Sequence, residues 1–142
     1  MPINPDILLN KELEEVEGSW SEERVILYNI AVGSSQDPLN KSDLEFTVGP
    51  NPKVIPSFAA CIYPMESVFS IIGSEGLEVS LTSLLHGEQK ITIHKDIPSS
   101  GKAITKAKIT AVEDYRKFGS VTIESDSYMD NEKIATSESV ML

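Results

Sequence analysis

"SFAACIYPMESVFSIIG", residues 57–73, is mostly apolar, yet Pro64 stands near its middle. An interior proline removes a helical hydrogen bond and clashes with the preceding turn. The stretch therefore predicts a short, interrupted helix buried on most sides. From Leu77 onward the pattern changes. "LLHGEQKITIHKDI" (84–97), "KAITKAKITAVEDY" (102–115), "GSVTIESDSYM" (119–129) and "KIATSESVML" (133–142) are long and rich in β-branched residues. Turn-like "PSSG", "RKFG" and "DNEK" separate them, so they read as an antiparallel meander of strands. Helices followed by a buried short helix and then strands predict an α+β domain.

The residues before this stretch read as mainly helical. In "NKELEEVE" (10–17), Asn10 stands as an N-cap ahead of acids suited to a first turn. In "SWSEERVILYNIAVG" (19–33), Ser19 and Glu22 have capping-box spacing. Val25, Tyr28 and Val32 form an apolar stripe, read as core packing, and Gly33 can close the helix. "SSQDPLNKSD" (34–43) reads as a loop, "LEFTV" (44–48) as a short strand, and "GPNPKVIPS" (49–57) as a proline-punctuated connection.

The length of 142 residues suits one compact domain, residues 1–142. The start lacks the basic-then-apolar layout of a secretory signal, the ending "SVML" is no organellar address, and no apolar run approaches a membrane span. A cytoplasmic protein is the simplest expectation. The single Cys61 forms no internal disulfide, supplies no metal cluster, and sits in an apolar context that keeps a thiol inert. A net charge of −10 argues against sequence-independent nucleic-acid binding. The charge is uneven, because residues 90–117 carry seven Lys and Arg against three acids. That segment is either a basic face for a small polyanion such as a nucleotide phosphate, or a solvated strand face whose lysines protect an edge.

Both histidines lie in "LLHGEQKITIH" (84–94). On an unbroken strand His86 and His94 share a face but stand ~27 Å apart, too far to share a metal or a proton. Glu88 shares the face of His86 at ~7 Å, which is loose for a hydrogen-bonded dyad. Gly87 marks either a bulge or a place where a ligand approaches the backbone. His94 reads as a surface residue.

"YNIAVGSSQDPL" (28–39), "LEFTVGPNPKVIPSFA" (44–59), "LLHGEQ" (84–89) and Ser100–Gly101, taken in order, resemble the N-terminal half of the MaoC-like, (R)-specific enoyl-CoA hydratases, the type-2 hydratases. The resemblance runs from about residue 12 to the end. It implies a hot-dog fold, an antiparallel sheet wrapped around a central helix that is shortened in this half to make room for a bulky acyl chain. These enzymes add water across the trans-2-enoyl-CoA double bond. Their hydratase motif, Gly-Asp-x-Asn-Pro-(Leu/Ile)-His, lies in the other, C-terminal hot dog.

That motif has no counterpart here. Five residues after Asp37 stands Ser42, and the residues five before His86 and His94 are Leu81 and Gln89. Asp37-Pro38 is read instead as turn chemistry. The resemblance thus implies no catalytic residue and no metal or other cofactor, but a substrate-binding set: His86 and Gly87 against the acyl-CoA, with Lys117, or Arg116 after a one-residue slip, helping to hold it.

The leading expectation is a non-catalytic, acyl-CoA-binding subunit or half that pairs with a motif-bearing hot-dog chain or domain. Coenzyme A or acyl-carrier protein would carry the substrate, and the assembly would be a dimer, homomeric alone and heteromeric with the catalytic partner. The strand ending at "SVML" suits either a complete small subunit or an excised half. Two other readings stay open. One is a homodimeric hot-dog thioesterase with Glu88 or Asp37 as its carboxylate; the other is a binding module without chemistry.

Overall fold

The structure is a computed structural model that describes residues 3–64, 68–115 and 117–142. Its frame is a five-stranded antiparallel sheet: β1 (Val16–Trp20), β2 (His86–Ile93), β3 (Gly101–Asp114), β4 (Gly119–Met129) and β5 (Glu132–Met141). Strand order is β1-β3-β4-β5-β2. Alternation along β3 buries Ala103, Thr105, Ala107 and Ile109 and leaves Lys102, Lys106 and Lys108 in solvent, as a sheet with one covered face requires. Asp130 and Asn131 both take positive φ, 49° and 63°, the conformation that closes a tight hairpin between β4 and β5.

The meander holds for β3, β4 and β5 but not for β2. "PSSG" is no hairpin turn, because β2 pairs with β5 on the far edge of the sheet and not with β3. Alternation identifies a strand without naming its neighbour.

The covering layer is a 3-10 helix, Pro56–Cys61, packed on β2 and β5, and no longer helix follows it among the described residues. Phe58 and Ala59 of this helix, then Ile62 and Tyr63, are all buried, as expected of a short buried helix. Two apolar clusters result. One joins Phe58, Ile62, Trp20 and Val25 to Ala135 and Ile134, and the other joins Leu8, Ile71 and Leu77 to Ile109, Val121 and Ile123. This arrangement of sheet and shortened central helix is the hot dog.

The N-terminal third departs from the sequence reading. Helix α1 spans Pro5–Leu8, and residues 10–17 are not helical. Asn10 adopts a positive φ of 64°, and Asn10 and Leu13 donate backbone hydrogen bonds to Ile109 and Ala107 of β3. The acids of this run face lysines of β3 instead of a helix dipole: Lys106 pairs with Glu15 and Lys102 with Glu17. Helix α2, Glu22–Ala31, is capped by Ser21, whose hydroxyl accepts from the Arg24 amide, so the cap is not the Ser19–Glu22 box. Its inward face carries Val25 and Asn29, whereas Val32 is exposed, and Gly33 ends it at φ 99°.

"LEFTV" is not a strand. Helix α3, Lys41–Leu44, and turns occupy it. The buried Asn29 amide explains why, donating to the Phe46 and Lys53 carbonyls at 2.7 and 2.8 Å and stapling this loop to α2.

The lysine-rich segment is largely neutralised across strands. Lys90 meets Glu138 at 2.6 Å, Lys108 meets Glu124 at 3.3 Å, and Lys95 meets Glu132. This favours the solvated strand face over the open basic face. On the same sheet Asp126 accepts from the Lys133 ammonium at 2.8 Å and from the Thr136 hydroxyl at 2.6 Å. Burial pushes the Asp126 carboxyl up, but these hydrogen bonds, with the charges of Lys133 and Lys108, outweigh it and hold its pKa below the ordinary value.

A carboxylate with a depressed folded pKa contributes stability above its unfolded value and loses it as pH falls through the folded one. Asp126→Asn is therefore expected to cost a few tenths to about 1 kcal/mol at neutral pH. The gap between the two proteins should close as pH falls below the ordinary aspartate range. Thermal unfolding of both across pH checks this, and an undiminished gap in acid would contradict it.

Cys61 is half-buried; burial raises its thiol pKa, the Arg24 charge offsets part of the rise, and the thiol stays protonated at neutral pH. No helix among the described residues is long and apolar enough to cross a membrane.

Candidate functional site

The 3-10 helix covers only part of the inner sheet face. Beyond it, residues 68–79 and the sheet enclose an apolar cavity of about 220 Å³. Val121 and Ile123 of β4 and Met141 of β5 line it from the sheet, Val68, Ile71 and Leu77 from the turns, and Leu84 and Leu142 beside β2. Lys117 and Phe118, from the β3–β4 hairpin, and Ile3 also line it. The hairpin is tight, with the Tyr115 amide donating to the Phe118 carbonyl at 2.9 Å and the Lys117 amide to the Tyr115 carbonyl at 2.8 Å. It presents Phe118, 53% exposed, tilted against Tyr115 with ring centroids 5.0 Å apart.

The substrate-binding residues expected from the sequence divide around this cavity. Lys117 lines it, is exposed, and makes no ion pair among the described residues. Its alternative, Arg116, lies outside the described residues. Gly87 sits one side chain away: a Cβ there would fall 2.8 Å from Cδ1 of Leu142, which lines the cavity. The backbone is thus closely approached at Gly87, and what approaches it is Leu142. His86 is exposed at the start of β2, opposite Met141, and is not a lining residue.

Gly87 does mark a bulge. The register shifts between His86 and Glu88, so His86 pairs with Met141 and Glu88 with Val140. Directly opposed residues share a face and adjacent ones do not, so the bulge turns His86 and Glu88 to opposite faces and removes the loose dyad expected on an unbroken strand. His94 is exposed and hydrogen-bonds Thr136 at 2.9 Å, as a surface residue does. Asp37 accepts from the Leu39 amide at 2.9 Å, the turn chemistry expected of it. Neither Asp37 nor Glu88 lines the cavity.

Two features escaped the sequence reading. Gln89, the last residue of "LLHGEQ", donates to the Ser137 hydroxyl at 2.5 Å and accepts from Ser139 at 2.8 Å, which fixes its amide on β5. The period-2 alternation shared by β2 and β5 carried that signal, but only for a reader who knew they were neighbours. Ile3, outside every pattern used, reaches the cavity through a bridge to Leu77.

The chemistry open to this cavity is narrow. Among its described lining residues Lys117 is the only titratable side chain, so the cavity can hold an apolar chain and place one cation near it, but has no acid–base pair. Among the described residues no cluster of three His, Cys, Asp or Glu side chains is placed to hold a metal ion.

Similarity to known proteins gives the family and the fold. The enoyl-CoA hydratase ChsH3 of Mycobacterium tuberculosis is 28% identical over 127 residues, which is 88% of this chain and 44% of that protein. The chain thus spans less than half the length of that relative. The MaoC-like dehydratase from Phytophthora capsici superposes with a TM-score of 0.80 at 21% identity, covering 98% of this chain and 49% of that one. The HadBC 3R-hydroxyacyl-ACP dehydratase complex from Mycobacterium tuberculosis includes a chain matching at TM-score 0.65 and 11% identity, over 94% of this chain and 98% of that one. These superpositions establish the hot-dog fold. The family model of the MFE-2 hydratase 2 N-terminal domain matches residues 19–142, most of the chain and every strand but the start of β1, and the chain belongs to that family.

Proposed function

We propose that this domain is the acyl-holding, non-catalytic half of an (R)-specific enoyl-CoA hydratase. The observation that carries the reading is an apolar cavity whose described lining residues include one lysine and no acid–base pair, in a chain of a hydratase family. The acyl group enters the cavity, Lys117 meets a phosphate or the thioester side of the carrier, and a second hot dog supplies the Asp and His. That partner is a separate chain or a further domain. Two observations support a partner: β2 leaves its outer edge unpaired among the described residues, and Leu85 beside it is 68% exposed. Such an edge invites a further strand, in a homodimer of the isolated chain or a heteromer with the catalytic half. Coenzyme A is the carrier tested first.

Calorimetric titration of the full chain with octanoyl-CoA and with free CoA tests the reading. Octanoyl-CoA should bind more tightly and with a negative heat-capacity change, as burial of apolar surface requires. Equal affinity for the two would defeat it. Lys117→Ala should weaken octanoyl-CoA binding by roughly two- to fivefold, the worth of one exposed charge contact. Added salt should shrink that difference, since an exposed pair is screened. A loss independent of salt would mean that Lys117 acts by packing and not by charge.

A further inference from the structure

The β3–β4 hairpin carries two aromatic rings that the core does not use. Tyr115 is 50% exposed and Phe118 53%, and neither belongs to the two apolar clusters. Half-buried rings elsewhere are covered by lysines: Lys53 lies over Phe46, and Lys106 and Lys133 lie over Tyr128. Among the described residues no lysine lies over Tyr115 or Phe118 in this way. The pair is nonetheless held in place. The two rings meet 34° from parallel, and the Tyr115 hydroxyl donates to the Glu113 carboxylate, which also accepts from the Ser120 hydroxyl at 3.1 Å. Lys117 stands between them in the chain, and its ammonium makes no ion pair among the described residues. Lys117 and Phe118 both line the apolar cavity, so the open rings and the open charge stand beside the site already described.

Resting on the acyl-holding reading above, we propose that Tyr115 and Phe118 form a stacking platform for the adenine of coenzyme A. Every base has a π-face that stacks on an exposed aromatic ring, and a nearby cation answers the phosphate that a nucleotide carries. In coenzyme A the adenine adjoins its phosphates through a single ribose, so one hairpin can meet both, with Lys117 taking the phosphate. The two possible carriers differ at this point. A carrier protein presents its acyl group on a phosphopantetheine arm, which has a phosphate and no adenine. The platform thus makes coenzyme A, and not a carrier protein, the form in which this domain takes its acyl group.

The test compares octanoyl-CoA with octanoyl-phosphopantetheine on the full chain and on two variants, by titration calorimetry. The second ligand keeps the acyl chain, the thioester and one phosphate but lacks the nucleotide. The unaltered chain should favour octanoyl-CoA by about tenfold or more, the scale on which one stacked base contributes. Phe118→Ala should remove most of that preference by weakening octanoyl-CoA alone, and Phe118→Trp, which keeps a ring, should retain it. A ratio of two ligands measured on one sample does not depend on the fraction folded, and melting curves check folding directly. If the unaltered chain binds both thioesters equally, the platform is overturned while the acyl-holding reading stands. The same holds if Phe118→Ala weakens both equally, since Phe118 then acts on the acyl chain. A preference that survives Phe118→Ala and fades with salt belongs to the extra phosphates, and it too overturns the platform. If neither thioester binds, the acyl-holding reading fails and takes the platform with it.

Discussion

The purified chain is expected to leave crotonyl-CoA and longer enoyl-CoAs unhydrated. Addition of water across the double bond needs one group to take a proton from water and another to deliver one to the α-carbon, both near the same two carbons. No Asp in this chain has a His five residues later, and the described cavity lining offers no carboxylate or imidazole. The two histidines cannot substitute: His86 is turned away from Glu88 by the bulge, and His94 is committed to Thr136 at the surface. Each acid or base in such a step contributes about 10²–10⁴-fold, so the shortfall should reach background. Loss of enoyl absorbance, followed on a mass-verified single-chain preparation, measures it. Robust turnover would refute the non-catalytic assignment.

Gly87→Val should cost acyl-CoA affinity more than about tenfold, well beyond Lys117→Ala, because a packed clash outweighs one screened charge. The glycine is not in a left-handed conformation, so valine is no problem for the backbone. The difficulty is Leu142, with Cδ1 and Cγ at 2.8 and 2.9 Å from the new Cβ and the Val140 carbonyl at 3.5 Å behind it. Leu142 is the part that can yield, and one way for it to move is into the cavity it lines. A second substitution identifies the carrier of the effect: Leu142→Ala should restore much of the affinity lost by Gly87→Val. If it restores none, the clash is not transmitted through Leu142. His86→Ala should have an intermediate effect and lower affinity more than turnover in a reconstituted pair. Lost turnover with intact affinity would instead make His86 a participant in the chemistry.

Of the residues singled out in the sequence, Lys117 lines the cavity, Gly87 lies behind its lining residue Leu142, and His86 does not line it. Within "LLHGEQ" the sequence left two roles open for Gly87, a bulge or a ligand approach, and the register shift opposite β5 shows the bulge. Gln89 and Ile3 were missed for a related reason, since both owe their roles to segments distant in the chain: β5 for Gln89 and Leu77 for Ile3.

What the sequence determined by itself is the set of local states whose burial has a period. Helix α2 is one, with its end at Gly33; so are the spans of β3, β4 and β5 and the short buried helix ahead of Pro64. Along β3 alternation tells the chain which side faces oil and which faces water, and no partner need be known. In α2 the helix was legible but not its whole inward face, since Val32 is exposed and Asn29 buried. Tertiary structure decided the rest. "NKELEEVE" has the acids of a helical first turn, but the lysines of β3 offer Glu15 and Glu17 partners that a helix would not, and Asn10–Leu13 take their backbone bonds from the same strand. "LEFTV" alternates like a strand, yet the buried Asn29 amide claims the Phe46 carbonyl that a ladder would have used. The place of β2 beside β5 and the cavity left by the short helix belong to this second class. A hydrogen bond or ion pair is satisfied by whichever group arrives, and a local pattern states only what a segment needs, not which distant segment will supply it.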